Sequence, residues 1–187
     1  KGAMADANAG TDKLVYVTEI ALTGDKADLY TIQSANAQTS VDIAQRTITA
    51  FTVSALDKKY DGSDHADVNI TNIEGLLAGD EGQVTIIGDA VFDDENSGEN
   101  KVVTFTANAI GGSKGGNYKF ADDDVKTQTA GANIEKVKIT FTLGNVSFIY
   151  DGQEKSVAVS AADENGGVFR GYTVKYLDAN GGDMDSL

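Results

Sequence analysis

Apolar and polar residues alternate with a period of two along several short runs of the chain, the pattern of strands with one buried face. These runs are rich in threonine, β-branched and aromatic residues, which favour strands. Glycine and Asx clusters that supply tight turns separate them. The predicted strands cover residues 14–18, 47–53, 84–87, 102–106, 137–143 and 172–176. One helical turn is predicted at 72–77, and without βαβ alternation the pattern indicates an all-β fold, an antiparallel sandwich.

The sequence also repeats itself with a spacing near 90 residues. The matched segments are 10–18 with 98–106, continuing without a gap to Tyr30 opposite Tyr118, then 43–49 with 134–140, and 60–62 with 150–152. The offset changes only from 88 to 91 along these matches. This spacing predicts tandem homologous β domains.

Charge and composition exclude several classes of function. The chain has 15 Lys and Arg against 29 Asp and Glu, a net charge of -14, which is the wrong sign for binding nucleic acid or an anionic membrane surface. No run approaches the length of a membrane span, so no membrane insertion is expected. The chain has no cysteine, which excludes a disulfide scaffold, a thiol nucleophile and a cysteine zinc site.

An ordered series of motifs in the middle of the chain resembles a YDG-type repeat of bacterial surface proteins and filamentous-haemagglutinin-like adhesins. The motifs are Lys58 to Gly62, Gly79-Asp80, Ala90 to Asp94, Gly98 to Lys101, Gly116-Asn117-Tyr118 and Ala132-Asn133-Ile134. Residues 135–187, with Phe148 to Gly152 and Tyr172 to Tyr176, resemble the first half of the related MBG-type repeat. The resemblance implies tandem immunoglobulin-like β-sandwich modules in an extracellular stalk that spaces or presents a binding head.

The spacing allows two positions, or phases, for the boundaries of the repeats. In the first, residues 1–46 are a cloning scar plus the C-terminal half of a repeat, 47–134 is a complete YDG-type repeat, and 135–187 is an MBG-like N-terminal half. The second phase has complete domains at 8–95 and 96–187. The first predicts pairing of the half-repeats between chains, hence a homo-oligomer, whereas the second predicts a monomer.

The recurring turn motif has two interpretations. Tyr60, Asp61 and Gly62, repeated as Tyr150, Asp151 and Gly152, could stack on and hydrogen-bond a sugar. An Asp-Gly hairpin turn with a tyrosine against the core edge is the interpretation that the recurrence favours. It predicts that both tyrosine rings are buried.

Acidic clusters offer the oxygen ligands that calcium prefers. They are Asp93-Asp94-Glu95, Asp122-Asp123-Asp124 and the loop with Asp178, Asn180, Asp183 and Asp185. The loop departs from the EF-hand pattern, because its glycine precedes Asp183 and a twelfth-position glutamate is missing. We therefore interpret the clusters as solvated loop charge and expect no metal and no cofactor.

Catalytic motifs are weak. The only histidine, His65, is expected on the surface, and no Gly-x-Ser-x-Gly elbow is present. A glycosidase carboxylate pair and a lysine isopeptide at Lys101 or Lys138 remain open, although both lysines are expected to face solvent. We expect no enzyme, but a structural spacer of a bacterial cell-surface or secreted adhesin. Its partners would be neighbouring repeats; the alternative is a module that binds a host glycan or protein.

Overall fold

The structure of the chain is a computed structural model, and it describes residues 2–144, 147–153, 155–177 and 182. It divides into two compact units, Lys1–Ile134 and Glu135–Leu187. Strands and short 3-10 turns make up the regular structure of the described residues, which confirms an all-β fold. None of the helical turns among them is long and apolar enough to cross a membrane.

The first unit contains eleven strands. They are β1 (Gly2–Met4), β2 (Gly10–Val17), β3 (Ala37–Ile43), β4 (Arg46–Ile48), β5 (Ala50–Ala55), β6 (Lys58–Lys59), β7 (Val68–Glu74), β8 (Thr85–Phe92), β9 (Gly98–Gly111), β10 (Tyr118–Phe120) and β11 (Thr127–Glu135). The last of these reaches one residue past the unit boundary. The sheet orders are β1-β2-β3, β6-β11-β9-β8 and the pairs β5-β7 and β10-β4. The β4 and β10 strands run parallel, so the prediction of a wholly antiparallel arrangement is wrong at this pair.

The core of the first unit lies between the β5-β7 pair and the four-stranded sheet. Phe51 of β5 meets Phe105 of β9 edge-on, with ring centroids 6.0 Å apart, and Phe120 at 6.4 Å. Burial of these apolar rings is the main source of the free energy that holds the pair and the sheet together. The fully or largely buried residues are Ile48, Phe51, Ala66, Val84, Ile86, Ala90, Phe92, Val103, Phe105, Ala107, Tyr118, Ala132 and Ile134. This core therefore belongs to residues 48–134.

Strands β2 and β3 pair with the same bulge as β9 and β11, but they contribute no residue to that core. Four residues of β2, from Gly10 to Lys13, oppose three of β3, and four residues of β9, from Gly98 to Lys101, oppose three of β11. The bulge residues Asp12 and Asn100 both have φ 50°. The 3-10 turns Ala27–Leu29 and Gly115–Asn117 recur at the same spacing. The sequence repeat is thus also a repeat of bulges and turns.

The second unit contains a small antiparallel sheet in the order β12-β13-β14. The strands are β12 (Ile139–Leu143), β13 (Val159–Asp163) and β14 (Val168–Phe169). Phe141 meets Tyr172 edge-on at 5.3 Å, and Ala161 is buried. The one-residue drop in the repeat offset falls at Ala50, because Ile48-Thr49 matches Ile139-Thr140 at 91 whereas Phe51-Thr52 matches Phe141-Thr142 at 90.

Two local predictions are wrong. Residues 72–74 continue strand β7 instead of starting a helical turn, because their backbone pairs with β5. Residues 172–176 form no strand. Instead, the hydroxyls of Tyr172 and Tyr176 donate to the carbonyls of Val159 and Val157 at 2.6 and 2.8 Å, so this segment is attached to its unit by side chains.

Candidate functional site

The Tyr-Asp-Gly turn follows the short strand β6. One oxygen of Asp61 accepts hydrogen bonds from Lys58 Nζ at 2.8 Å, from the Ser63 N–H at 2.9 Å and from the Ser63 hydroxyl at 2.8 Å. Gly62 has φ 76°, a conformation that glycine adopts without strain. The Lys58 bond, followed by the two from Ser63, lowers the pKa of Asp61 to about 2. The carboxylate thus closes its own turn.

The prediction that both motif tyrosines are buried is wrong. Tyr60 is 44% exposed and Tyr150 is 93% exposed. Lys58 takes the expected place beside the core edge: its ammonium lies 5.8 Å from the centroid of the Phe92 ring, and its side chain is largely buried. A lysine stem can cover apolar surface in this way while its charged end reaches a carboxylate.

The second turn has the same geometry with a different lysine. Asp151 accepts the N–H of Gln153 at 3.0 Å and pairs with Lys155, and Gly152 repeats the φ of 76°. The Lys155 hydrogen bond is the main cause that lowers the pKa of Asp151. The aspartate is therefore used in the same way in both copies, whereas the tyrosine is not.

A second recurring contact joins a bulge lysine to an aspartate. Lys101 Nζ lies 2.8 Å from Asp94 and 3.0 Å from Asp93, and its side chain is largely buried. The Asp94 hydrogen bond raises the pKa of Lys101, and the same bond lowers the pKa of Asp94. The expectation that Lys101 faces solvent is wrong, because the bulge turns it onto these carboxylates.

The same contact occurs 88 residues earlier. Lys13 pairs with Asp6, whose oxygen also accepts the Asn8 N–H at 2.8 Å. Asp94 accepts the Asn96 N–H at 2.7 Å in the same manner. The sequence alignment began at Gly10 and Gly98 and so missed this contact. Extending it four residues towards the N-terminus aligns the two aspartates and would have found it.

A buried hydroxyl lies at the start of β10. Tyr118 is 3% exposed; its hydroxyl donates to Asp80 Oδ2 at 2.6 Å and accepts the Leu77 N–H at 3.0 Å. Burial is the main cause that raises the pKa of Tyr118, and the phenol remains a donor at neutral pH. Its repeat counterpart Tyr30 is 68% exposed.

The acidic clusters are engaged by neighbouring groups. Asp122 accepts the Val125 N–H at 3.1 Å, and Asp123 lies 2.7 Å from Lys126 Nζ. Among the described residues, no three acidic or histidine side chains converge on a point where a metal ion could bind. The calcium candidates Asp178, Asn180, Asp183 and Asp185 lie outside the described residues.

His65 lies on the surface, as the sequence predicted. It forms an isolated bridge with Val91, and its Nε2 is 3.6 Å from Asp67, which is also exposed. Lys138 is exposed as well. Neither residue is enclosed in a site that would change its reactivity.

These contacts lie in an all-β chain whose recurring polar side chains bind turns and bulges of their own backbone. A YDG domain is found at residues 44–130, which confirms the resemblance for just under half of the chain. No curated protein and no solved structure matches the sequence.

Proposed function

We propose that this chain is a non-enzymatic spacer of a bacterial cell-surface or secreted adhesin, built from tandem immunoglobulin-like repeats. Residues 135–187 would be the MBG-like part of the same stalk. Its partners are the neighbouring repeats, and its location is extracellular. The proposal rests on the YDG domain and on the internal use of the recurring polar groups.

The observation that carries this proposal is the recurrence of the same internal contacts 88 residues apart. In each copy a lysine after a bulge pairs with an aspartate, and that aspartate holds an asparagine N–H. A ligand-binding residue has to keep part of its hydrogen-bonding capacity for the ligand. Groups that bind their own backbone in both copies are better explained by folding than by recognition.

Every buried side-chain nitrogen and oxygen in the described part of the chain has a hydrogen-bond partner. Unsatisfied buried groups are a frequent mark of an unoccupied polar site. Their satisfaction supports a structural role for the residues concerned.

A ligand-binding module is the second candidate, and the exposed tyrosines favour it. Tyr150 presents almost its whole ring beside Asp151, the arrangement in which a ring stacks on a sugar while a carboxylate accepts hydroxyl protons. Lys155 and the Gln153 N–H already occupy this carboxylate, which leaves it less capacity for a sugar.

A glycan array probed with the intact chain separates the two candidates. The spacer proposal predicts no saturable binding to any glycan and no change on Tyr150→Ala or Tyr60→Ala. Tyr16→Ala is the control, because Tyr16 is 51% exposed, close to the 44% of Tyr60, and lies away from an Asp-Gly turn. Saturable binding that is lost in Tyr150→Ala or Tyr60→Ala and kept in Tyr16→Ala would establish the ligand-binding module instead.

A further inference from the structure

One asparagine of the YDG domain holds the segment that precedes the domain. Asn117 ends the 3-10 turn Gly115–Asn117, and its side chain makes two hydrogen bonds to that segment. Its Oδ1 accepts the Ala9 N–H at 2.8 Å, and its Nδ2 donates to Asn8 Oδ1 at 3.1 Å. The bonded residues are 108 and 109 positions apart, so these bonds join two distant parts of the chain.

The recurring bulge contact places residues 8 and 9 for this attachment. Asp6 pairs with Lys13 and accepts the Asn8 N–H at 2.8 Å, which fixes the backbone just before Ala9. The side-chain oxygen of Asn8 accepts its bond from Asn117 and not from its own segment. The contact between Asp6 and Lys13 therefore braces the surface that the YDG domain binds.

The same turn also holds the connection between the two parts. Strand β3 ends at Ile43 and β4 begins at Arg46, so the chain passes from the preceding segment into the domain through residues 44 and 45. Gln45 Nε2 donates to the Gly116 carbonyl at 3.1 Å. The turn is thus attached at the connection and, through Asn117, at a second point on residues 8–9. Two separate attachments fix an angle that one would leave free to turn.

Apolar packing contributes little at this junction. Among the described residues, none of 2–43 belongs to the buried core, which lies within 48–134. Two open clefts of about 220 and 410 Å³ are lined by residues of both parts, and Ala9 and Ile43 line both clefts. Modules joined by a small, incompletely packed contact move relative to each other by default. The hydrogen bonds of Asn117 are therefore the contacts that can restrain such motion here.

We propose that Asn117 sets the angle between the YDG domain and the module before it, and so stiffens the stalk at this junction. The partner that it fits is the bulge segment of the neighbouring module, which presents one backbone N–H and one side-chain carbonyl. An asparagine side chain matches this pair because it carries an acceptor and a donor on one planar amide. The inference deepens the spacer proposal and rests on it, because a spacer reaches further when its modules keep a fixed angle.

A distance between two spin labels, measured by double electron–electron resonance, tests the angle in the intact chain, which has no cysteine of its own. Gln38→Cys on β3 and Thr129→Cys on β11 carry the labels, since both residues are exposed strand positions in the two parts. We expect one narrow distance distribution when Asn117 is present. Asn117→Leu should widen it at least about twofold, because small contacts with a single attachment leave modules free to move.

Two replacements of Asn117 separate its hydrogen bonds from its place in the fold. Leucine is tolerated in such a turn, because Leu29 occupies the repeat position of Asn117 and ends the 3-10 turn Ala27–Leu29. Asn117→Asp keeps an acceptor for the Ala9 N–H, and the Asn8 amide can rotate to donate to the new carboxylate. Asn117→Asp should therefore keep the narrow distribution that Asn117→Leu loses.

Asn108→Leu is the matched control. Asn108 is an exposed asparagine of the same domain, and its Nδ2 donates to Asp89 at 2.7 Å, away from the junction. This variant should leave the distance distribution unchanged. Hydrogen exchange of the Ala9 amide is the second measurement: its rate should rise about tenfold in Asn117→Leu and stay the same in Asn108→Leu.

Several results would overturn the inference. They are a broad distribution while Asn117 is present, equal widths before and after Asn117→Leu, equal broadening by Asn117→Asp or Asn108→Leu, and an Ala9 exchange rate that does not depend on Asn117. Each would leave the spacer proposal standing, because the glycan array measures a separate property. Saturable glycan binding lost in Tyr150→Ala or Tyr60→Ala would instead refute the spacer and leave the measured angle unaffected.

Discussion

Removing the hydroxyl of Tyr118 tests whether the buried contact at the start of β10 stabilises the repeat. Tyr118→Phe removes a hydrogen bond to the Asp80 carboxylate and leaves the Leu77 N–H without its partner, while the ring still fills its place. The lost bond to a charged group and the partly buried N–H left without its partner together predict a loss of about 1–3 kcal/mol in the free energy of unfolding. The lower part of that range applies if water reaches the partly exposed Asp80.

The assay is urea denaturation in dilute solution, followed through the NMR amide signal of Val103. A local signal is needed because the chain has two units that can unfold separately. Tyr30→Phe is the matched control: the same change at the exposed repeat counterpart should stay within about 0.5 kcal/mol. A Tyr118→Phe loss below that value, or equal losses in both variants, would refute the reasoning.

Further predictions concern the turn, a close backbone approach and calcium. The pKa of Asp61 is about 2 in the folded chain and 3.8 ordinarily, so the unfolded chain binds more protons between those values. The stability that the Asp61 carboxylate contributes is therefore complete above about pH 4 and is lost as the pH falls towards 2. An NMR titration should give a midpoint near 2, and a midpoint near 3.8 would contradict the Lys58 contact. Gly75→Ala should lower the free energy of unfolding by about 1–3 kcal/mol more than Gly79→Ala, as measured by thermal or urea denaturation. Both glycines have φ near 95°, but only a Cβ on Gly75 would lie 2.1 Å from the Thr47 carbonyl oxygen. Equal losses in the two variants would contradict this. Adding millimolar calcium after chelation should leave the melting temperature unchanged, and a rise of several degrees would reveal a site.

The period-two pattern predicted the strands that have strong alternation, because that pattern follows from one buried face. Residues 14–18 and 102–106 fall largely within β2 and β9. Strand β3, Ala37–Ile43, is mostly polar and exposed, so no alternation marks it; it forms because β2 offers a paired edge. Pairing of this kind depends on tertiary context, which a local pattern does not contain.

The recurrence of the Tyr-Asp-Gly motif could be read from the sequence, but the burial of each of its side chains could not. Spacing predicted that Asp61 and Asp151 form equivalent turns, since an Asp-Gly turn is encoded locally. The prediction of a hairpin at Asp61 is wrong, because the strands before and after it, β6 and β7, belong to different sheets. Spacing could not predict that the stem of Lys58 would cover Phe92 in place of the Tyr60 ring, because that depends on how the turn leaves the sheet. Likewise, the bulge at Asn100 reverses the expected direction of its neighbour.

Hydrogen exchange on the intact chain at monomeric concentration tests most directly the central claim, that the recurring motifs build a repeat whose stability requires both of its halves. Strands β2 and β3 share the pairing and the bulge of β9 and β11 but lack the cover of β4 and β5. The account predicts that the amide of Val15 exchanges at least about tenfold faster than that of Val103, because openings with less buried apolar surface cost less free energy. Equal protection at these matched positions would contradict it.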